Sequence, residues 1–142
     1  MATTRVANAH WEGSLFEGAG RVTLASSGLG TFDVTWPSRA EEPNGRTSPE
    51  ELIGAAHAAC YSMALSNGLA KGGTPPTSLD VTAEVGFQPG VGITGVALTV
   101  RGVVPGIDSD AFAEAAEAAK VGCPVSQALA AVEISLTASL EQ

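Results

Sequence analysis

Basic residues are scarce in this chain of 142, where 7 Lys and Arg stand against 15 Asp and Glu for a net charge of −8. A surface that tracks phosphate needs a surplus of Lys and Arg, so nucleic acid and anionic membranes are not expected as partners. Long apolar runs are missing as well. No stretch approaches the roughly 18 apolar residues of a membrane span, and the opening Met1-Ala2-Thr3-Thr4-Arg5 lacks the apolar core of a signal peptide. The expectation is a cytoplasmic protein. Gly18, Gly20, Gly28 and Gly30 read as turn or bulge residues, and no nucleotide-binding fingerprint surrounds them. Cysteine is limited to Cys60 and Cys123, too far apart for a Cys-x-x-Cys motif. A permanent disulfide is not expected in a reducing compartment, which leaves redox chemistry, metal binding or packing as their use.

What is present reads as one α+β domain spanning residues 1–142. Apolar and polar residues alternate over 6–11, 21–26 and 31–36, predicting three short strands, and the polar stretch 37–46 with Asn44-Gly45 predicts a loop. A helix follows, with Ser48 as N-cap, Pro49 in the first turn and Glu51 completing a capping box. Glu50 is then an additional carboxylate, only partly explained by the helix dipole. From 52 to 70 the helix is almost uniformly apolar or small, so it is expected to be buried nearly all round. Alternation resumes at Leu79, Val81, Ala83, Val85 and Phe87 and again at Val96, Leu98 and Val100, predicting an antiparallel hairpin. Asp108 or Ser109 caps an Ala-rich helix that Gly122 ends, Cys123-Pro124 opens a short helix over 124–131, and a last strand covers 132–140. Half-apolar strands are too little material to cover the central helix, and a second copy of the chain would supply the rest.

The two cysteines have unlike surroundings. Cys60 falls mid-helix among apolar residues, where burial raises a thiol pKa, while Cys123 stands at a helix start, which lowers it. At an ordinary thiol pKa only about 3% is thiolate at pH 7, so Cys60 needs a cation to become reactive. The chain offers Arg5, Arg21, Arg39, Arg46 and Arg101, of which Arg39 lies in the segment leading to the long helix, with Glu41, Glu42 and Glu50 as carboxylates able to hold its fork. His57, one turn before Cys60, reads as a packed, hydrogen-bonded side chain, with base or metal ligand as the alternatives. A zinc site from His10, His57, Cys60 and Cys123 lacks ligand-like spacing for half of its members. A lone Cys among Ala and Leu is ordinarily packing. Cys is a poor N-cap beside Ser or Asp, and its presence at position 123 favours a functional reading.

The stretch Thr47-Ser48-Pro49-Glu50-Glu51-Leu52-Ile53-Gly54-Ala55-Ala56-His57-Ala58-Ala59-Cys60, with Gly122-Cys123-Pro124-Val125-Ser126 and His10-Trp11-Glu12-Gly13, resembles the osmotically inducible protein C family (OsmC/Ohr peroxidases) nearly end to end. The resemblance implies antiparallel sheets packed around a long buried helix in an intertwined α+β homodimer. It implies reduction of peroxides, organic hydroperoxides especially, without metal, flavin or other cofactor. Cys60 would be the peroxidatic thiolate, Cys123 the resolving thiol and Glu50 the carboxylate that holds an arginine. The organic-hydroperoxide-resistance branch carries that arginine in an N-terminal Gly-Gly-Arg, which is absent here. The OsmC branch carries it shortly before the long helix, which fits Arg39, with Arg21 in reserve.

The implied cycle runs through a Cys60 sulfenic acid and a Cys60–Cys123 disulfide, reduced by an external dithiol of lipoyl or similar type. Ile53, Ala56 and Met63 are candidates for lining an alkyl pocket. A redox switch using the same disulfide without turnover, or a small-molecule-binding protein, is the rival reading. Ten helical residues between Glu50 and Cys60 span about 15 Å, so an arginine held by Glu50 is expected to serve the Cys60 of a second chain.

Overall fold

Three short strands open the computed structural model, which describes residues 1–141. They are β1 (Asn8–Glu12), β2 (Ala19–Thr23) and β3 (Thr31–Val34), paired antiparallel in the order β1-β2-β3. Close contacts divide the chain into two compact units, Met1–Leu52 and the residues from Ile53 onward.

The first unit contains an element that the sequence does not announce. Helix α1 (Trp36–Ala40) occupies the start of the expected loop. Thr35 caps it, with Oγ1 accepting from the Ser38 N–H at 3.1 Å and the Thr35 N–H donating to Ser38 Oγ at 3.0 Å. This is a capping box with Ser where the usual pattern has Glu or Gln, and Pro37 sits in the first turn where a missing N–H costs nothing. The rest of the segment turns at Asn44-Gly45, both at positive φ (47° and 80°), with the Arg46 N–H donating to the Pro43 carbonyl. Two left-handed residues in succession are what Asn-Gly supplies at least cost. The chain then rejoins β3 through a parallel bridge between Val34 and Thr47.

Helix α2 (Pro49–Lys71) is unbroken over 23 residues. Ser48 Oγ accepts from the Glu51 N–H as expected, but the Glu51 carboxylate takes the Thr47 hydroxyl, which lies close at 2.6 Å. The helix is not buried all round in the single chain. Glu50, Gly54, His57, Tyr61, Leu65 and Leu69, spaced three or four apart, are its buried line, whereas Ala55, Ala56, Ala59 and Met63 lie on an exposed one.

In the second unit, β4 (Ser78–Gln88) and β5 (Gly92–Val103) form the expected antiparallel hairpin, with a register shift at Gly86/Phe87. The sheet is mixed rather than purely antiparallel, because β6 (Glu133–Glu141) pairs parallel to β5. Parallel neighbours need a crossover, and α3 (Ser109–Gly122) with α4 (Pro124–Ala128) provides it. Asp108 caps α3, accepting from the Ala111 N–H at 2.8 Å. Tyr61, Leu65 and Leu69 pack with Val96, Leu98, Val100, Phe112 and Ala116 in the core. Gly102 is required there, since a Cβ would stand 2.8 Å from the Phe112 ring.

Candidate active site

Arg39 and Glu50 come together within the first unit. Arg39 extends from the last turn of α1 and Glu50 from the first turn of α2, where the carboxylate also faces the helix dipole. The Arg39 guanidinium donates through Nε to Oε1 at 3.0 Å and through Nη2 to Oε2 at 2.9 Å. This is the bidentate fork that fixes a guanidinium plane. Glu50 is nearly enclosed, at 8% side-chain exposure, while Arg39 keeps 30%. A cavity of about 490 Å³ opens beside the pair, walled by Trp11, Leu15, Val22, Val34, Trp36 and Leu52, with Arg39 as the charged group on its lining.

The other candidates are placed differently. Arg21 lies on β2 between His10 and Asp33 and is exposed, and Glu41 and Glu42 are exposed at the end of α1. Glu50 is therefore the carboxylate that holds Arg39. Ile53, Ala56 and Met63 do not line this cavity; Met63 and Ala59 border a separate open groove of the second unit.

The second unit brings the cysteines together as neighbouring free thiols, each acting on the other's pKa. Cys60 is half-buried on α2, and Cys123 is fully buried where α3 ends and α4 begins. Both ends of that junction follow from Pro124, which cannot continue α3 and suits the first turn of α4. Burial pushes the Cys60 thiol up, the Val125 N–H works against that rise, and the neighbouring Cys123 adds to it. Burial acts on Cys123 in the same sense, yet the Ser126 N–H, the Cys60 thiol, the Ser126 hydroxyl and the Val125 N–H together bring it below its ordinary value. The sulfur makes no capping hydrogen bond of regular geometry, so this is the field of a helix N-terminus rather than one directed bond. The contrast expected from sequence is present, and in the single chain the thiolate is favoured at Cys123.

His57 is fully buried beside the pair, its Nε2 2.8 Å from Ser126 Oγ and its pKa lowered by burial. Among the described residues, no group of three or more His, Cys, Asp or Glu gathers as a metal would require, and His10 is exposed against Glu12. Ser126 is the participant that sequence reasoning passed over. Its position three residues after an N-cap cysteine was the available signal.

The paired thiols thus belong to the second unit and the carboxylate-held arginine to the first. The family model for OsmC-like protein matches residues 42–137. The chain is 46% identical to Peroxiredoxin OsmC of Escherichia coli strain K12 over 99% of each chain. It belongs to the OsmC-like protein family. Among solved structures, an organic hydroperoxide resistance protein OsmC from Legionella pneumophila superposes with a TM-score of 0.72 at 26% identity, covering 100% of this chain and 99% of that one. The organic hydroperoxide resistance protein OhrB of Bacillus subtilis has the same fold, with a TM-score of 0.71 at 24% identity over 96% of this chain and 98% of its own. No helix among the described residues of this OsmC-like chain is long and apolar enough to cross a membrane.

Proposed function

We infer that this chain is a thiol-dependent peroxidase that reduces organic hydroperoxides to alcohols, with Cys60 as peroxidatic and Cys123 as resolving cysteine. The observation that carries the reading is the neighbouring pair of free thiols, one half-buried and the other enclosed. The names of the relatives, a peroxiredoxin and an organic hydroperoxide resistance protein, support it. Access supports these roles, since Cys60 keeps some exposed surface whereas Cys123 has none. The Cys60 thiolate attacks the terminal oxygen of ROOH, the O–O bond breaks, and the alkoxide leaves and is protonated to ROH. Cys123 then attacks the sulfenic sulfur, releasing water and leaving a disulfide that an external dithiol reduces.

Arg39, aligned by Glu50, is the counter-charge for the Cys60 thiolate and the developing alkoxide, and the apolar cavity beside it suits the alkyl group. Glu50 and Cys60 are about 15 Å apart along one helix, and the groups that shift Cys60 include no cation. Arg39 therefore serves the Cys60 of a second copy, and the working unit is a homodimer. The exposed apolar line of α2 at Ala55, Ala56, Ala59 and Met63 supports burial against that copy.

Consumption of cumene hydroperoxide with a dithiol, followed for wild type beside Cys60→Ser, tests the function. Sustained turnover by wild type and none by Cys60→Ser is expected. A wild type that forms one disulfide and then stops would instead be a redox switch.

A further inference from the structure

His57 is a buried titratable group that the peroxidase cycle just described does not use. Its side chain has no exposed surface, and one ring nitrogen, Nε2, meets Ser126 Oγ at 2.8 Å. The other, Nδ1, has no hydrogen-bond partner among the described residues. A histidine retained only for packing normally has both nitrogens satisfied, and a buried orphan calls for a reason. The neighbours supply one. His57 and Cys60 stand one turn apart on α2, and Cys123 and Ser126 are the N-cap and third residue of α4. The two helices thus meet in two rungs, His57 against Ser126 and Cys60 against Cys123, and the Ser126 hydroxyl is also among the groups that lower the Cys123 thiol pKa.

We propose that Ser126 and His57 form a proton relay for the resolving cysteine, running from Cys123 Sγ through Ser126 Oγ to His57 Nε2. The relay rests on the peroxidase reading, because it serves the disulfide-forming step. With its proton on Nδ1, neutral His57 presents the Nε2 lone pair to Ser126. As Cys123 attacks the sulfenic sulfur of Cys60, its proton passes to Ser126 Oγ and the hydroxyl proton of Ser126 passes to Nε2. The S–S bond forms and the S–O bond breaks; the Cys123 sulfur is oxidised and the Cys60 sulfur reduced. The departing hydroxide takes a proton back from the relay and leaves as water, restoring neutral His57. In the reductive half the same path returns a proton to Cys123 when it leaves the disulfide as thiolate.

The timing suits the need. In the reduced chain the Cys60 thiol is among the groups that favour the Cys123 thiolate. Oxidation of Cys60 removes that thiol at the moment Cys123 must be deprotonated. Burial disfavours the imidazolium, so His57 rests neutral and holds the relay's proton only transiently. The titratable group acting on Cys123 is Cys60 on α2, whereas Glu117 on α3 and Cys123 act on Tyr61, and burial alone acts on His57. Tyr61 is pushed up by its own burial and stays protonated throughout the working range. Ser126 contacts a reacting atom and is catalytic in this scheme, whereas His57 acts through it and is a positioning and proton-holding residue.

The test uses full-length protein mixed rapidly with one equivalent of cumene hydroperoxide, quenched at intervals, with Cys60 sulfenate and Cys60–Cys123 disulfide quantified by mass spectrometry. Glutamine at position 57 keeps a hydrogen-bonding amide but cannot accept a proton. His57→Gln and Ser126→Ala should form sulfenate at the wild-type rate yet close the disulfide about 10²-fold more slowly, the low end of what a positioned general base contributes. The double variant should be no slower than Ser126→Ala alone, and Ser126→Thr, which keeps the hydroxyl, should stay near wild type. In the slowed variants the closing rate should climb with pH into the thiol range, whereas the wild-type profile should be flatter. Ser126→Ala deletes one buried oxygen and so reads the relay even if His57→Gln disturbs the core. An unchanged closing rate in both single variants, additive losses in the double variant, or a threonine as slow as alanine would overturn the relay while leaving the peroxidase intact. A wild type in which Cys60 is not oxidised at all would overturn both.

Discussion

Removing either partner of the Arg39–Glu50 fork should destabilise the protein by clearly different amounts, because the two groups differ in exposure. Truncating one member of a fully buried ion pair costs about 3–5 kcal/mol, most of it for the charge left behind. Arg39→Ala strands the Glu50 carboxylate at 8% side-chain exposure. The N-terminus of α2 returns about 0.3–1 kcal/mol to that charge, leaving a net loss of about 2–4 kcal/mol. Glu50→Ala leaves a guanidinium that is 30% exposed and able to turn toward water, so surface-like values of about 1 kcal/mol apply. Urea unfolding at fixed protein concentration is the assay. With a slope of about 1–3 kcal/mol per molar urea, the midpoint should fall by about 1 M or more for Arg39→Ala and by less than half of that for Glu50→Ala. Equal losses, or a larger loss for Glu50→Ala, would refute the reasoning that the enclosed carboxylate dominates the cost.

Cys123→Ser should complete one sulfenate-forming turnover and then fail to recycle, with mass spectrometry finding the oxidation on Cys60; a protein with no oxidised residue would contradict the assignment. The Arg39→Lys variant should recover part of the activity lost in Arg39→Ala, since it keeps the charge but not the fork, and the pH profile of Cys60 alkylation should shift upward in Arg39→Ala. Burial lowers the folded-state pKa of His57, so below the ordinary value of 6.5 the unfolded chain takes up a proton that the folded chain refuses. Stability should then fall as pH drops from about 6.5 toward the folded value, by at most about 1.36 kcal/mol per pH unit from this group, and His57→Gln should remove that component of the urea midpoint's pH dependence. Mixed heterodimers of Cys60→Ser and Arg39→Ala should regain activity at one of their two sites, and heterodimers without rescue would place Arg39 and Cys60 in one chain.

The parts of this fold that repeat with a period were legible in the sequence. β4, β5 and β6 alternate cleanly, and Ser48-Pro49 and Asp108 mark helix starts by the chemistry of capping. Helix α1 was not legible, because five residues are too few for a period and its box closes on Ser38 instead of Glu or Gln. The parallel pairing of β6 was hidden for another reason: alternation fixes which face of a strand is buried but not the direction of its neighbour. Around the site, the thiols and their opposite shifts could be read from position alone, mid-helix against helix start. The selection of Glu50 over Glu41 and Glu42, and the meeting of Ser126 with His57, depend on contacts between separate elements, which no local pattern encodes.

Access and charge fall on different sulfurs in the reduced single chain, and that division says what the chain lacks. Cys60 keeps some exposed surface, but the helix-start N–H groups and Ser126 favour the thiolate at Cys123. A thiol raised above its ordinary pKa is less than about 3% ionised at pH 7, which would leave the accessible sulfur the unreactive one. Each further pKa unit recovered at Cys60 requires about 1.36 kcal/mol of preferential interaction with its thiolate. Within the second unit, the Val125 N–H favours the Cys60 thiolate but is too weak to reverse the shift. A guanidinium already aligned by a carboxylate can supply more than one unit without reorganising, and Arg39 is such a group, with an apolar cavity at its side. Cys60 and the residue that aligns Arg39 are ten residues apart on α2, about 15 Å of helix rise. A second copy, as proposed for the working unit, would bring Arg39 to Cys60 and cover the exposed alanines and Met63 in the same step.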